Sequence, residues 1–136
     1  MQPKLGIIAG GGSLPQRIID ICRASGREFY VIAIEGHALP QQLVDTPHSW
    51  IRIGAAGSGL NILKQQNVKE LVMIGDVKMP SLKDLRPDLR TAKFFAKLGV
   101  QVLGDNSLLS AAAAELEAEG FRVVGVDEIL NDLLAP

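Results

Sequence analysis

Apolar residues fall along this chain in short runs, and the runs alternate between two periodicities. From Lys4 to Ala9 the chain is almost continuously apolar, the pattern of a strand buried on both faces. Gly10-Gly11-Gly12 breaks that run. From Leu14 to Ser25 the spacing is helical, with Leu14, Ile18, Ile21 and Cys22 on one side and Arg17, Asp20 and Arg23 mostly on the other. Ser13 is placed to cap this helix, Pro15 is tolerated in its first turn, and Gly26 supplies a C-terminal stop. Phe29 to Ile34 is a second apolar strand. A strand–helix–strand unit of this length implies parallel pairing through a right-handed crossover.

The alternation continues. Glu35-Gly36-His37-Ala38 leaves the second strand, Pro40 to Val44 reads as a short helix, and Asp45-Thr46-Pro47 is a turn. Ser49 to Ile53 reads as a third strand. Gly54-Ala55-Ala56-Gly57-Ser58-Gly59 is a second glycine-rich connection, leading to a helix over Leu60 to Gln66. Glu70 to Ile74 is a fourth strand, followed by Gly75-Asp76-Val77-Lys78-Met79-Pro80. Asp88 to Leu98 is helical in pattern, and Val100 to Leu103 fits either an extension of it or a short strand. Asp105 or Ser107 is placed to cap a helix over Leu108 to Glu119, which Gly120 ends. Phe121 to Val124 is a fifth strand and Asp127 to Leu134 a last short helix. Residues 1–136 are thus expected to form one α/β domain, a three-layer Rossmann-like sandwich with a mainly parallel sheet of about five strands.

Composition narrows the function. The 136 residues suffice for one domain, and 47% apolar with 21% charged residues is an ordinary globular balance. A formal net charge of -1 supplies no basic field, so nucleic acid is not an expected partner. One cysteine excludes an internal disulfide and fits a reducing cytoplasm. No apolar run is long enough to span a bilayer, and Met1-Gln2-Pro3-Lys4-Leu5 lacks a signal-peptide pattern. The abrupt, mildly apolar ending Leu133-Leu134-Ala135-Pro136 raises the expectation of a longer chain.

In a sheet of this kind ligands bind beyond the C-terminal ends of the strands, where the strand order switches. Gly10, Gly11, Gly12 and Ser13 emerge there and lead into a helix N-terminus, which offers unpaired N–H groups and partial positive charge to an anion such as phosphate. The same glycines would also serve a plain tight turn. They match a dinucleotide fingerprint poorly, because Pro15 takes the place of its third glycine, although Glu35 stands where a ribose-binding acid would. Gly54 to Gly59 reads equally as a ligand loop or a flexible connection. Gly75, Asp76 and Lys78 share one strand-end loop, in which an acid could hold a metal or hydroxyl and a lysine a phosphate; a solvated turn is the alternative. Asp84, Arg86, Asp88 and Arg90 alternate in sign, as on a solvated surface or in local ion pairs. Asp105-Asn106 reads first as a helix cap. His37 and His48 lack metal-ligand spacing, Cys22 fits core packing, and no catalytic constellation is evident.

Several motifs, taken in order, carry a resemblance. Leu5 to Pro15, Val31-Ile32-Ala33-Ile34-Glu35-Gly36, Arg52-Ile53-Gly54, Gly75 to Pro80, Leu85-Arg86-Pro87-Asp88, Gly104-Asp105-Asn106-Ser107-Leu108-Leu109 and Glu119 to Val124 resemble the LpxI family of UDP-2,3-diacylglucosamine pyrophosphatases. The resemblance implies an N-terminal domain whose UDP-sugar lipid substrate lies against a second, C-terminal domain. That second domain carries an essential aspartate with no counterpart in this chain. It implies substrate contacts at Gly10, Gly11, Gly12, Ser13, Gly75, Asp76, Lys78, Asp105 and Asn106, no catalytic residue in this chain, and unassigned metal ligands. The full-length enzyme would use a divalent metal, Mg or Mn, with none held tightly by this chain alone. It would work in the cytoplasm, at the inner face of the inner membrane with peripheral contact, and a homodimer is compatible with it. The chain departs from the family at Met79, where a basic residue is common, and at Asp76, where the family is often basic or small. The competing expectations are a freestanding nucleotide- or phosphate-binding module without hydrolytic activity, and a structural or oligomerising domain.

Overall fold

The computed structural model describes residues 3–77, 86–98 and 105–134. In chain order the elements are β1 (Leu5–Ala9), α1 (Leu14–Ser25), β2 (Phe29–Ile34), a 3-10 turn (Pro40–Leu43), β3 (His48–Ile51), α2 (Ala56–Gln65), β4 (Glu70–Ile74), α3 (Leu89–Leu98), α4 (Asp105–Ala118), β5 (Arg122–Val123) and α5 (Val126–Leu134). The five strands form one all-parallel sheet in the order β3-β2-β1-β4-β5. The expected α/β sandwich is thus what the chain forms.

Strand alternation divides the core in two. Leu5, Ile7 and Ala9 of β1 face α1 and α5, where Ile18, Ile19, Cys22 and Ile129 complete a buried cluster. Ile8 and Ile32 face the other way, toward Leu60 and Leu63 of α2, Leu116 of α4, and Val68 and Phe121. The helix α1 is turned from the expected orientation. Pro15 and Ile19 are buried with Ile18 and Cys22, whereas Leu14 is 41% exposed. The apolar stripe was wide enough to allow either rotation, and the contact with β1 and α5 selects one.

Layers on both faces demand close approach at one point in particular. A Cβ on Gly6 would meet Leu71 Cδ2 at 2.6 Å and Val68 Cγ1 at 2.8 Å, so β1 needs glycine where the α2–β4 connection crosses it. Farther toward the strand ends on this face, the packing of α2, α3 and α4 leaves an apolar cavity of about 240 Å³.

Candidate functional site

The strand order reverses between β1 and β4, since β2 and β3 lie to one side of β1 and β4 and β5 to the other. Beyond the C-terminal ends of β1 and β4 lie Gly10 to Ser13 and Gly75 to Val77, the segments in which the sequence placed a ligand. The two loops lock together. Gly10 N–H donates to the Ile74 carbonyl (2.8 Å), Gly11 N–H to the Asp76 carbonyl (2.8 Å), and Asp76 N–H to the Gly11 carbonyl (3.0 Å). Gly11 and Asp76 thereby form an isolated antiparallel bridge at the end of a parallel sheet.

This geometry separates the glycines by role. Gly75 has φ +100°, and a Cβ there would lie 2.7 Å from the Gly11 carbonyl oxygen. A Cβ on Gly10 would lie 2.6 Å from the Asp76 carbonyl oxygen, and one on Gly11 would be 3.0 Å from that of His37. These three permit loop-on-loop packing within the protein itself. Gly12 is different: it is exposed, has φ +90°, and faces the Asp76 carboxylate, with a built Cβ 3.5 Å from Oδ2. Its carbonyl accepts from Nε2 of the buried Gln42 (2.9 Å), which fixes the loop from beneath. Among the described residues no backbone carbonyl accepts from the N–H of Gly12 or of the exposed Ser13. These amides open onto solvent at the N-terminus of α1, the positive end of its dipole. Asp76 beside them repels an unaccompanied anion and favours a hydroxyl or a cation-bridged phosphate.

Ser13 occupies the N-cap position with φ −90° and ψ −16°, and its side chain makes no capping hydrogen bond, contrary to expectation. Its backbone is already helical, whereas a capping residue is typically extended. Pro15 stands in the first turn as expected. Glu35 and Gly36 are exposed at the end of β2, next to His37, whose Nδ1 lies 3.3 Å from the Glu35 carbonyl.

The second glycine-rich segment is not a loop. The helix α2 begins at Ala56, so Gly57, Ser58 and Gly59 are helical. Both glycines admit close packing: a Cβ on Gly59 would sit 3.0 Å from Ile51 Cδ1, and one on Gly57 3.0 Å from Asp88 Oδ2. Asp88 itself does unforeseen work. Its Oδ2 accepts from Gly57 N–H (2.9 Å), its Oδ1 accepts from Thr91 N–H (2.9 Å), and Thr91 Oγ1 accepts from Ala56 N–H (3.0 Å). The start of α2 is thus filled by side chains from the start of α3. Burial works to raise the Asp88 pKa, but hydrogen bonds from Thr91, Gly57 and Ser58 outweigh it and hold the carboxyl below the usual range.

Of the remaining expected residues, Lys78 lies outside the described residues, as do Asp84, the Val100 to Leu103 segment and the side chains of Asp105 and Asn106. The backbone of Asp105 and Asn106 belongs to the first turn of α4, so that helix starts earlier than Leu108 and its opening polar residues are inside it. Acidic and amide residues suit a first turn electrostatically but carry no apolar periodicity to show it. Among the described residues no three His, Cys, Asp or Glu side chains are grouped to hold a metal ion, so they do not fit a metal centre by themselves. Sequence reasoning missed Gln42, which no motif marks, and Asp88 with Thr91, whose Asp-x-x-Thr spacing at a helix start is a capping signal.

Comparison with known proteins places the chain in a family. The family model of the LpxI N-terminal domain matches residues 4–133. The UDP-2,3-diacylglucosamine pyrophosphatase LpxI of Caulobacter vibrioides (strain ATCC 19089 / CIP 103742 / CB 15) is 34% identical over 134 residues. That alignment covers 98% of this chain and 48% of the relative, so the chain spans about half the length of the curated relative it matches. Matched along nearly its whole length, the chain belongs to the LpxI family as an LpxI N-terminal domain.

Proposed function

We propose that this chain is the substrate-binding part of a UDP-2,3-diacylglucosamine pyrophosphatase, and that by itself it binds the nucleotide portion without cleaving it. The likeness to the Caulobacter protein along 98% of the chain carries this reading. The free amides of Gly12 and Ser13 at the switch point suit the pyrophosphate. Hydrolysis to UMP and 2,3-diacylglucosamine 1-phosphate needs charge stabilisation and an oriented water. The divalent metal that the resemblance implies would draw its ligands from outside the described residues, and a second domain would supply the catalytic aspartate. Such an enzyme would act in the cytoplasm at the inner face of the inner membrane, where a diacylated substrate is held.

Calorimetric titration of the chain with UDP, UMP and NAD tests the binding half. UDP is expected to bind more tightly than NAD, and the reverse order would favour a freestanding dinucleotide-binding module. Incubation with UDP-2,3-diacylglucosamine and Mg²⁺ or Mn²⁺ tests the rest. The expected result is no UMP, and robust metal-dependent release of UMP by residues 1–136 would overturn the division of labour.

A further inference from the structure

The peptide planes of the first glycine loop are held by their carbonyls. A trans peptide sets its C=O and the next N–H on opposite sides, and no peptide bond among the described residues is cis. The Gly11 carbonyl accepts from Asp76 N–H (3.0 Å), which turns Gly12 N–H away from the β4 loop. The Gly12 carbonyl accepts from Nε2 of Gln42 (2.9 Å), which turns Ser13 N–H to the opposite side. Gly12 has φ +90° and no side chain, so the hold on its plane must come from elsewhere.

Gln42 belongs to the 3-10 turn of the β2–β3 crossover and is buried next to Leu43 of the core. The buried polar side chains among the described residues are Arg27, Gln42, Thr46 and Thr91, and of these Gln42 reaches the glycine loop. A neutral amide donates there without burying a charge. The far end of the crossover is held separately. Arg23 of α1 donates to the carbonyls of Val44 (3.1 Å) and Asp45 (2.9 Å) and to Thr46 Oγ1. We propose that Gln42 is a positioning residue of the anion site: it fixes the Gly12–Ser13 peptide so that Ser13 N–H points at a phosphate of the ligand. This inference rests on the reading that the free amides meet the pyrophosphate, and it names the side chain that aims one of them.

The test is calorimetric titration of the full chain with UDP and with inorganic pyrophosphate, Mg²⁺ present. Gln42→Leu removes the donor and is expected to weaken both probes by about tenfold. Arg23→Ala loosens the crossover away from the glycine loop and is expected to lower the melting temperature while leaving both affinities unchanged. Gln42→Glu supplies a readout that a merely structural role would not move, and it serves if Gln42→Leu does not fold. Protonated, the introduced carboxyl still donates to the Gly12 carbonyl; ionised, it has no proton to give. The ratio of variant to parent dissociation constants is expected to lie near one in acid and to climb about tenfold as pH is raised to about 9, the upper range of buried glutamates. Asp76 and His37, the titratable residues beside the loop, are common to both proteins and cancel in that ratio. A folded Gln42→Leu that binds both probes as the parent does, or a Gln42→Glu ratio that stays flat, would overturn the proposal. UDP bound equally by parent and Gln42→Leu counts against Gln42 alone. Pyrophosphate bound by the parent without UDP counts against the nucleotide reading alone, and pyrophosphate then decides the role of Gln42. Binding of neither probe by the parent overturns both.

Discussion

Gly75, Gly12 and Ser13 lie within one small surface, and each responds to a side-chain change for a different reason. Gly75 combines a positive φ with a backbone collision at 2.7 Å, so Gly75→Ala must either separate the β1 and β4 loops or unfold them. Gly12 has the positive φ but no collision, its Cβ meeting only Asp76 Oδ2 at an ordinary 3.5 Å, and Gly12→Ala is expected to cost about 1–2 kcal/mol. Ser13 contributes no capping bond, so Ser13→Ala is expected to fall within about 0.5 kcal/mol of the parent. Urea unfolding of the three variants checks that order, and a Ser13→Ala loss larger than that of Gly12→Ala would contradict it. For ligand affinity, folded Gly12→Val is the informative variant, because a branched side chain would block the two free amides. Gly11→Val reads folding as well as binding, because its Cβ presses on the His37 carbonyl.

Between elements, Asp88 and Thr91 do for α2 what no residue of α2 does. Together they take up the amides of Ala56 and Gly57 while also opening α3. Asp88→Ala at pH 7 is expected to destabilise by about 1–2 kcal/mol. Because the folded-state pKa is depressed, this contribution is present above the unfolded value of about 4 and is lost as pH falls through the lower folded value. Melting temperatures of parent and variant are therefore expected to differ at neutral pH and to converge in acid. A gap that persisted at low pH would show that packing, not the carboxylate, joins the helices.

The whole molecule is closed at the other end of the sheet by a charge network. Arg27, with its side chain 1% exposed, donates to the Pro3 carbonyl (2.9 Å) and to Glu70 Oε1 (2.6 Å). Arg122 holds Glu70 from outside and also reaches Glu128. Burial pushes the Glu70 pKa up, yet the two guanidinium groups prevail and hold it below the ordinary value. Glu70→Ala would leave Arg27 buried and unpaired, an expected loss of about 3–5 kcal/mol. Arg122→Ala removes an exposed, solvent-screened partner and is expected to cost far less. Nearby Cys22 reports on the same core, since burial, partly offset by Arg27, pushes its thiol up to about 11. Iodoacetamide at pH 8 is expected to label Cys22 only as the chain unfolds. Labelling at equal rates in native protein and in urea would refute that burial.

The sequence by itself determined the element sequence and the sheet type, because the apolar runs of Leu5–Ala9, Phe29–Ile34 and Glu70–Ile74 alternate with helical stripes and leave little choice but parallel pairing. It also determined the family, through motifs spread over the whole chain, and the end of the sheet at which its glycine loops gather. Only the tertiary structure decided what each glycine is for. Gly10, Gly11 and Gly75 answer to another loop's backbone, and Gly57 and Gly59 to Asp88 and Ile51, neighbours distant in sequence. Chain-local patterns encode propensity, whereas steric contact and the filling of a helix start by Asp88 depend on which segments the sheet order brings together. The cavity behind α2 was likewise invisible in the sequence, since each wall reads as ordinary core and the void exists only between them.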